Sequence, residues 1–138
     1  MKLVIDSSVF VAAFRKEEPH SREAFRLVSQ IEKGTHTAIL PVTVILEVVA
    51  AVRRRTANNE LAKSVGEKLL TFPKISLIDI TAFRMAHYLD MASKSGLAGM
   101  DIIVVGVARE FDVPLFTFDR EIMNRGRTFA KIRDIREV

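Results

Sequence analysis

Four acidic residues in this chain each sit where a core-forming apolar run meets its edge. Asp6 follows Leu3-Val4-Ile5, and Glu47 lies inside Val44-Ile45-Leu46-Glu47-Val48-Val49. Asp101 opens the run Ile102 to Ala108, and Asp119 closes Leu115-Phe116-Thr117-Phe118. A carboxylate at such a place is expensive to desolvate unless something compensates it. Each acid alone has an ordinary use: Asp6 or Asp101 can cap a helix, Glu47 can pair with an arginine, Asp119 can start a turn. Four together constrain the fold more tightly, because one shared pocket needs all four run edges on the same side of the molecule.

The local pattern predicts how that is met. Lys2 to Ile5 reads as a buried strand, followed by a helix from Ser7 to Arg15 with Ser7 or Ser8 as its cap. Pro19 opens a second helix to Lys33, with Ala24, Leu27, Val28 and Ile31 at helical spacing and Gly34 as its stop. A strand from His36 to Leu40 leads through Pro41 into a helix to Arg55, capped by Thr43. Asn58 or Asn59 caps the next helix, which ends before Pro73. Ile75 to Ile78 is a strand, and Asp79 or Thr81 caps a helix from Ala82 to Ser93. Met100 to Phe111 is β-branched enough for a strand. Its length, and the small residues Gly106 and Ala108, favour a buried helix. Pro114 starts a strand to Phe118, and a last short strand lies between Ala130 and Ile135.

Strands alternating with helices predict one α/β domain over residues 1–138, three-layered, with a mainly parallel sheet. In such folds ligands bind beyond the carboxyl ends of the strands. Asp6 and Asp119 fall at predicted strand ends, Asp101 at a helix start, and Glu47 one turn into a helix that follows a strand. All four can face one sheet edge.

Composition excludes several alternatives. At 138 residues the chain buries a core without disulfides, and with no cysteine it has neither disulfides nor thiolate metal sites. That absence fits a reducing, cytoplasmic setting. Three apolar residues before Asp6 do not make a signal peptide, and no apolar run reaches the length of a membrane span. The formal charge is +4. The basic residues cluster: Arg53-Arg54-Arg55 is one run, and Arg120 to Val138 holds six basic against three acidic residues. His20, His36 and His87 are scattered without ligand spacing.

Clustered carboxylates raise one another's pKa, and a hard divalent cation relieves the repulsion. Oxygen donors suit Mg²⁺ or Mn²⁺, ions that serve phosphodiester hydrolysis. Ser7, Ser8, Thr43 and Thr117 stand beside the acids, placed to orient water or carboxylates. Arg53, Arg54, Arg55, Arg120, Arg125 and Arg127 are the basic residues nearest in sequence to the elements bearing Glu47 and Asp119, and are candidate phosphate contacts.

The segments Val4-Ile5-Asp6-Ser7-Ser8-Val9-Phe10, Thr43-Val44-Ile45-Leu46-Glu47-Val48, Gly99-Met100-Asp101-Ile102 and Pro114-Leu115-Phe116-Thr117-Phe118-Asp119 resemble, in order and spacing, a PIN domain, most closely the VapC-type ribonuclease toxins of toxin–antitoxin pairs. The resemblance implies a five-stranded parallel sheet between helices and a Mg²⁺- or Mn²⁺-dependent endoribonuclease. Its site would be Asp6, Glu47, Asp101 and Asp119, with the Thr117 hydroxyl beside the last acid. It also implies a homodimer and a small VapB-type antitoxin whose tail enters the acidic pocket. The alternatives are an RNA-processing PIN nuclease without an antitoxin, or a non-catalytic PIN scaffold that binds RNA or protein. An aspartyl phosphatase of the haloacid dehalogenase type would need an Asp where Ser8 stands. A phospho-receiver would need an acid pair near the start and a lysine after the last strand.

Overall fold

Strand and helix alternate almost strictly in the computed structural model, which describes residues 1–137. The order is β1 (Lys2–Ile5), α1 (Ser7–Phe14), α2 (Ser21–Glu32), β2 (Thr37–Pro41), α3 (Val42–Thr56), α4 (Asn59–Leu70), β3 (Ile75–Ile78), α5 (Ala82–Ser95), α6 (Gly99–Phe111), β4 (Leu115–Thr117), α7 (Arg120–Gly126) and β5 (Ile132–Asp134), with a 3₁₀ turn over Ile135–Glu137. The strands form one parallel sheet in the order β3-β2-β1-β4-β5.

That order places the four acids' candidate edge. β1 is central, and the chain goes from it to β2 on one side, while β4 pairs with it on the other, Val4 opposite Leu115 and Ile5 opposite Phe116. The carboxyl ends of β1 and β4 therefore flank a topological switch point, where open α/β sheets leave a crevice. Helices cover both faces of the central strands, so Leu3, Val4, Ile5, Leu115 and Phe116 are fully buried and read as continuous apolar runs. β3, at the sheet edge, is only half-buried, with Ser76 and Leu77 exposed.

α6 is a helix, and its small residue has a steric reason. A Cβ on Gly106 would stand 2.9 Å from the Tyr88 ring, so α5 and α6 pack with no room for a side chain there.

The helix starts differ from the sequence reading in instructive ways. Asp6, not Ser7 or Ser8, caps α1, its carboxylate accepting from the Ser8 N–H. α2 begins at Ser21 rather than at Pro19, after His20 in a left-handed backbone conformation. Lys33 is its C-cap, and Gly34, at φ +84°, follows as the left-handed residue. Thr43 does not cap α3, which starts at Val42 with no side-chain cap at all. Asn58 caps α4 and Thr81 caps α5. α7 has no counterpart in the sequence reading. It starts immediately after Asp119, whose carboxylate accepts from the Ile122 N–H.

Candidate active site

The switch point is stitched by two hydroxyls that each act once as donor and once as acceptor. Ser8, in the first turn of α1, donates to Asp6 Oδ2 (2.7 Å) and accepts from the Phe118 N–H (3.1 Å). Thr117, fully buried at the end of β4, donates to the same Asp6 Oδ2 (3.0 Å) and accepts from the Asp119 N–H (2.9 Å). The carboxyl ends of β1 and β4 are thus locked together, and Asp6 and Asp119 are held on one side of the lock. All three donors to Asp6 fall on Oδ2, so Oδ1 has no protein donor among the described residues. Asp119 spends one oxygen, Oδ1, on the cap of α7.

Glu47 and Asp101 reach this edge from helices. Glu47 lies in the second turn of α3 and Asp101 in the first turn of α6. Neither makes a hydrogen bond or ion pair through its carboxylate among the described residues. The Glu47 Oε1 atom is buried with no partner, and so is the Thr43 hydroxyl one turn earlier on the same helix face. Ser7 is half-buried and makes no side-chain hydrogen bond among the described residues.

The electrostatics tie the acids into one cluster. Burial, then the charges of Asp6 and Asp101, push Glu47 up to about 7. Burial, then the charges of Asp119, Asp6 and Glu121, push Asp101 up to about 6. Asp6 is raised chiefly by burial; the bonds from Ser8 and Thr117 work against that rise, and Asp119 adds to it. Glu121 is a fifth acid that the sequence reading missed. It sits in the first turn of α7, and seeing it required knowing that a helix follows Asp119.

The donor set fits a hard divalent cation. The free atoms are carboxylate oxygens and the Thr43 hydroxyl, all oxygen donors; the Glu47 Oε1 among them is buried without a donor, and the repulsion among the acids is what a cation would relieve. Among the described residues, no three ligating side chains already stand at the spacing of a closed metal site. The cluster is an open edge, not a preformed cage. Two sizeable cavities, about 830 Å³ against α1 and α2 and about 620 Å³ between α5 and α6, are not lined by any of the four acids.

The six candidate phosphate-binding arginines part company. Arg55 and Arg120 line a cavity that also includes Ser8 and Phe118, beside the acids. Arg53 turns to Asn59 at the start of α4. Arg54 is exposed without an ion pair among the described residues. Arg125 pairs with Glu121 at 2.7 Å. Arg127 lies with Arg109 and Lys131 near the amino ends of β4 and β5, away from the acids.

The fold and the sequence both have known counterparts. The structure is similar to that of the Mycobacterium tuberculosis VapC20 toxin, which cleaves the sarcin–ricin loop (14% identity, 95% of this chain and 98% of that one, TM-score 0.76). It is also similar to FitAcB from Neisseria gonorrhoeae (16%, 99% and 99%, 0.73) and to VapBC2 from Rickettsia felis bound to a promoter DNA fragment (14%, 97% and 98%, 0.72). At these identities the likeness speaks for the fold. No curated protein sequence matches this chain. The sequence model of the PIN domain matches residues 3–127, from the first buried residue of β1 to just past α7, and so takes in the whole switch point with all four acids. The chain therefore belongs to the PIN domain family.

Proposed function

We propose that this chain is a metal-dependent endoribonuclease, the toxin of a type II toxin–antitoxin pair. The observation that carries the reading is the uncompensated acid cluster at the switch point, above all the buried Glu47 Oε1 that no protein group satisfies. A scaffold would have no use for such an atom, since leaving a buried acceptor unpaired costs about 1–3 kcal/mol. A cation site does have a use for it.

Asp6, Glu47, Asp101 and Asp119 would hold Mg²⁺ or Mn²⁺. When bound, such an ion neutralises phosphate charge and makes a coordinated water more acidic. The chain's own residues have separate parts. Ser8 and Thr117 hold Asp6 in one orientation and favour its ionised form. Thr117 couples the position of Asp6 to that of Asp119. Glu47, raised to about 7, is partly protonated at neutrality in the cation-free protein, whereas Asp101, raised to about 6, is mostly ionised there; both would serve as ligands in the ionised form.

The similar structures support the partner reading, because one is a toxin–antitoxin complex and several others are VapBC complexes. An apolar groove between α3 and α4, lined by Ile45, Leu46, Val49, Ala62 and Leu70, suits a short apolar antitoxin segment. The exposed apolar side chains Phe83, Met85 and Leu89 on α5 suit a homodimer contact. Among the described residues, no single helix is long and apolar enough to cross a membrane.

The test is incubation with structured RNAs in Mg²⁺, Mn²⁺ and EDTA. Cleavage with either metal and none with chelator supports the reading. Cleavage that survives chelation, or none under any condition, ends it.

A further inference from the structure

Next to the acids lies a cavity of about 270 Å³ that the hydrolysis itself does not use. Its walls include Ser8, His20, Arg55, Phe118, Arg120 and Arg136. Two of these touch the acid site directly. Ser8 donates to Asp6, and Phe118 is the chain neighbour of both Thr117 and Asp119. The cavity thus adjoins the acid site through Ser8, whose hydroxyl bonds both Asp6 and the Phe118 N–H.

The cavity has the two features that single strands need. It is cationic: three guanidiniums line it against one carboxylate, Glu18. Glu18 is shared between Arg55 (3.0 Å) and Arg15 (3.2 Å), Arg136 is engaged by Asp134, and Arg120 makes no ion pair among the described residues. It is also aromatic. His20 and Phe118 stack with ring centroids 5.6 Å apart and planes 23° from parallel. His20 is exposed, makes no side-chain cap bond to α2, and holds a left-handed backbone that non-glycine residues seldom adopt. Its volume is just under the ~300–1,000 Å³ of small-molecule sites, enough for one nucleotide and too small for a duplex.

We infer that this cavity is the subsite for the nucleotide adjoining the scissile phosphate, with its base stacked on the His20–Phe118 pair and its phosphate held by Arg120 and Arg55. The assignment rests on the nuclease reading given above. A base on an aromatic platform is held with little regard to its identity, so the subsite demands an unpaired nucleotide rather than a particular one.

The experiment uses a short single-stranded RNA cleaved at one position, and variants of it abasic at each flanking nucleotide. Cleavage kinetics are read in Mn²⁺ and binding in EDTA, by fluorescence anisotropy. One abasic position should raise KM and weaken binding about tenfold in the wild type. His20→Ala should cause a similar loss on the intact RNA and make that abasic position neutral. His20→Phe, which keeps a ring, should restore the abasic penalty. Arg120→Gln should lower the slope of log K against log salt by roughly 0.7, the value for one phosphate contact on a single strand. RNA cleaved with no abasic-sensitive position, or a penalty that persists unchanged in His20→Ala, overturns the subsite and leaves the nuclease standing. A protein that cleaves nothing overturns the nuclease reading, and the EDTA titrations then judge the cavity separately. Wild-type protein that binds no oligonucleotide with or without metal overturns the subsite. So does a His20→Ala variant that binds RNA normally but loses a protein partner.

Discussion

Glu47 and Glu110 are both glutamates on helices that pack against the sheet, yet their surroundings are opposite. Glu110, on α6, accepts three bonds from Arg84 (2.7–3.1 Å) and one from Tyr88 (3.1 Å), and its carboxyl is held below the usual range, first by the Arg84 hydrogen bonds. Glu47, on α3, has a buried oxygen with no donor and other acids as its charged neighbours, and stands at about 7. The protein has neutralised one carboxylate from within and left the other without a protein partner among the described residues. The difference separates a carboxylate that contributes to the fold from one that, on the proposed reading, the fold carries at a cost for the sake of function.

The largest expected effect divides the two regions by activity. Asp101→Asn or Asp119→Asn should reduce RNA cleavage by at least about 10²-fold, as loss of a group acting in the transition state does. Glu110→Gln should leave the rate within about threefold. Comparable losses from Glu110→Gln would erase the distinction.

Cation binding should divide them next. At pH 7, Mn²⁺ at about 100 times its dissociation constant stabilises a folded-state site by about 2.7 kcal/mol, a rise in Tm of roughly 8 °C for a domain of this size. That rise should persist in Glu110→Gln and disappear in Asp101→Asn. Equal rises in all three proteins would place the cation elsewhere.

Without the cation the signs of the two substitutions should differ. In EDTA at pH 7, Asp101→Asn removes a repelled charge and should raise Tm by about 2–5 °C. Glu110→Gln removes a partner of Arg84 and Tyr88 and should lower Tm by a smaller amount, since the ion pair is partly exposed to solvent. A drop for both would mean that the acids do not repel one another as a cluster.

The smallest and broadest effect is on pH. Folded-state values of about 7 for Glu47 and about 6 for Asp101 lie above the ordinary carboxyl range, so the native state binds more protons than the unfolded chain. Their stabilising contribution is complete below the unfolded pKa and is lost as pH rises through the folded values. Tm in EDTA should therefore climb as pH is lowered from about 7.5 to about 5. Glu110, shifted the other way, contributes stability that is lost only as pH falls through its lowered value. Its loss should leave the slope between pH 7.5 and 5 unchanged, whereas a Glu47→Gln, Asp101→Asn double variant should flatten it.

Much of the fold was legible because its signals are local. β3 ran from Ile75 to Ile78 as expected, and Asn58 and Thr81 cap their helices as their residue types suggest. The misplaced caps have one cause. Ser7, Ser8 and Thr43 are all good cap residues, but Asp6 already serves α1, and α3 starts from Pro41 without a side-chain cap. α7 was hidden because its seven residues are too few to show a periodic apolar face, so Glu121 was not seen as a neighbour of Asp101.

The sequence by itself determined the alternation of strands and helices, the continuous burial of β1, and the four acids at the edges of apolar runs. These depend on hydrophobic periodicity and on residue type, which a chain carries whatever its surroundings. Only the tertiary structure decided which of those acids lack partners. A carboxylate's state depends on groups that folding brings near from distant positions, 111 residues away in the bond from Thr117 to Asp6. It decided too that Arg55 and Arg120 line a cavity shared with Ser8 and Phe118, beside the acids, while Arg127 lies near the other end of the sheet. And it set His20 against Phe118, two rings 98 positions apart whose stacking no local pattern announces.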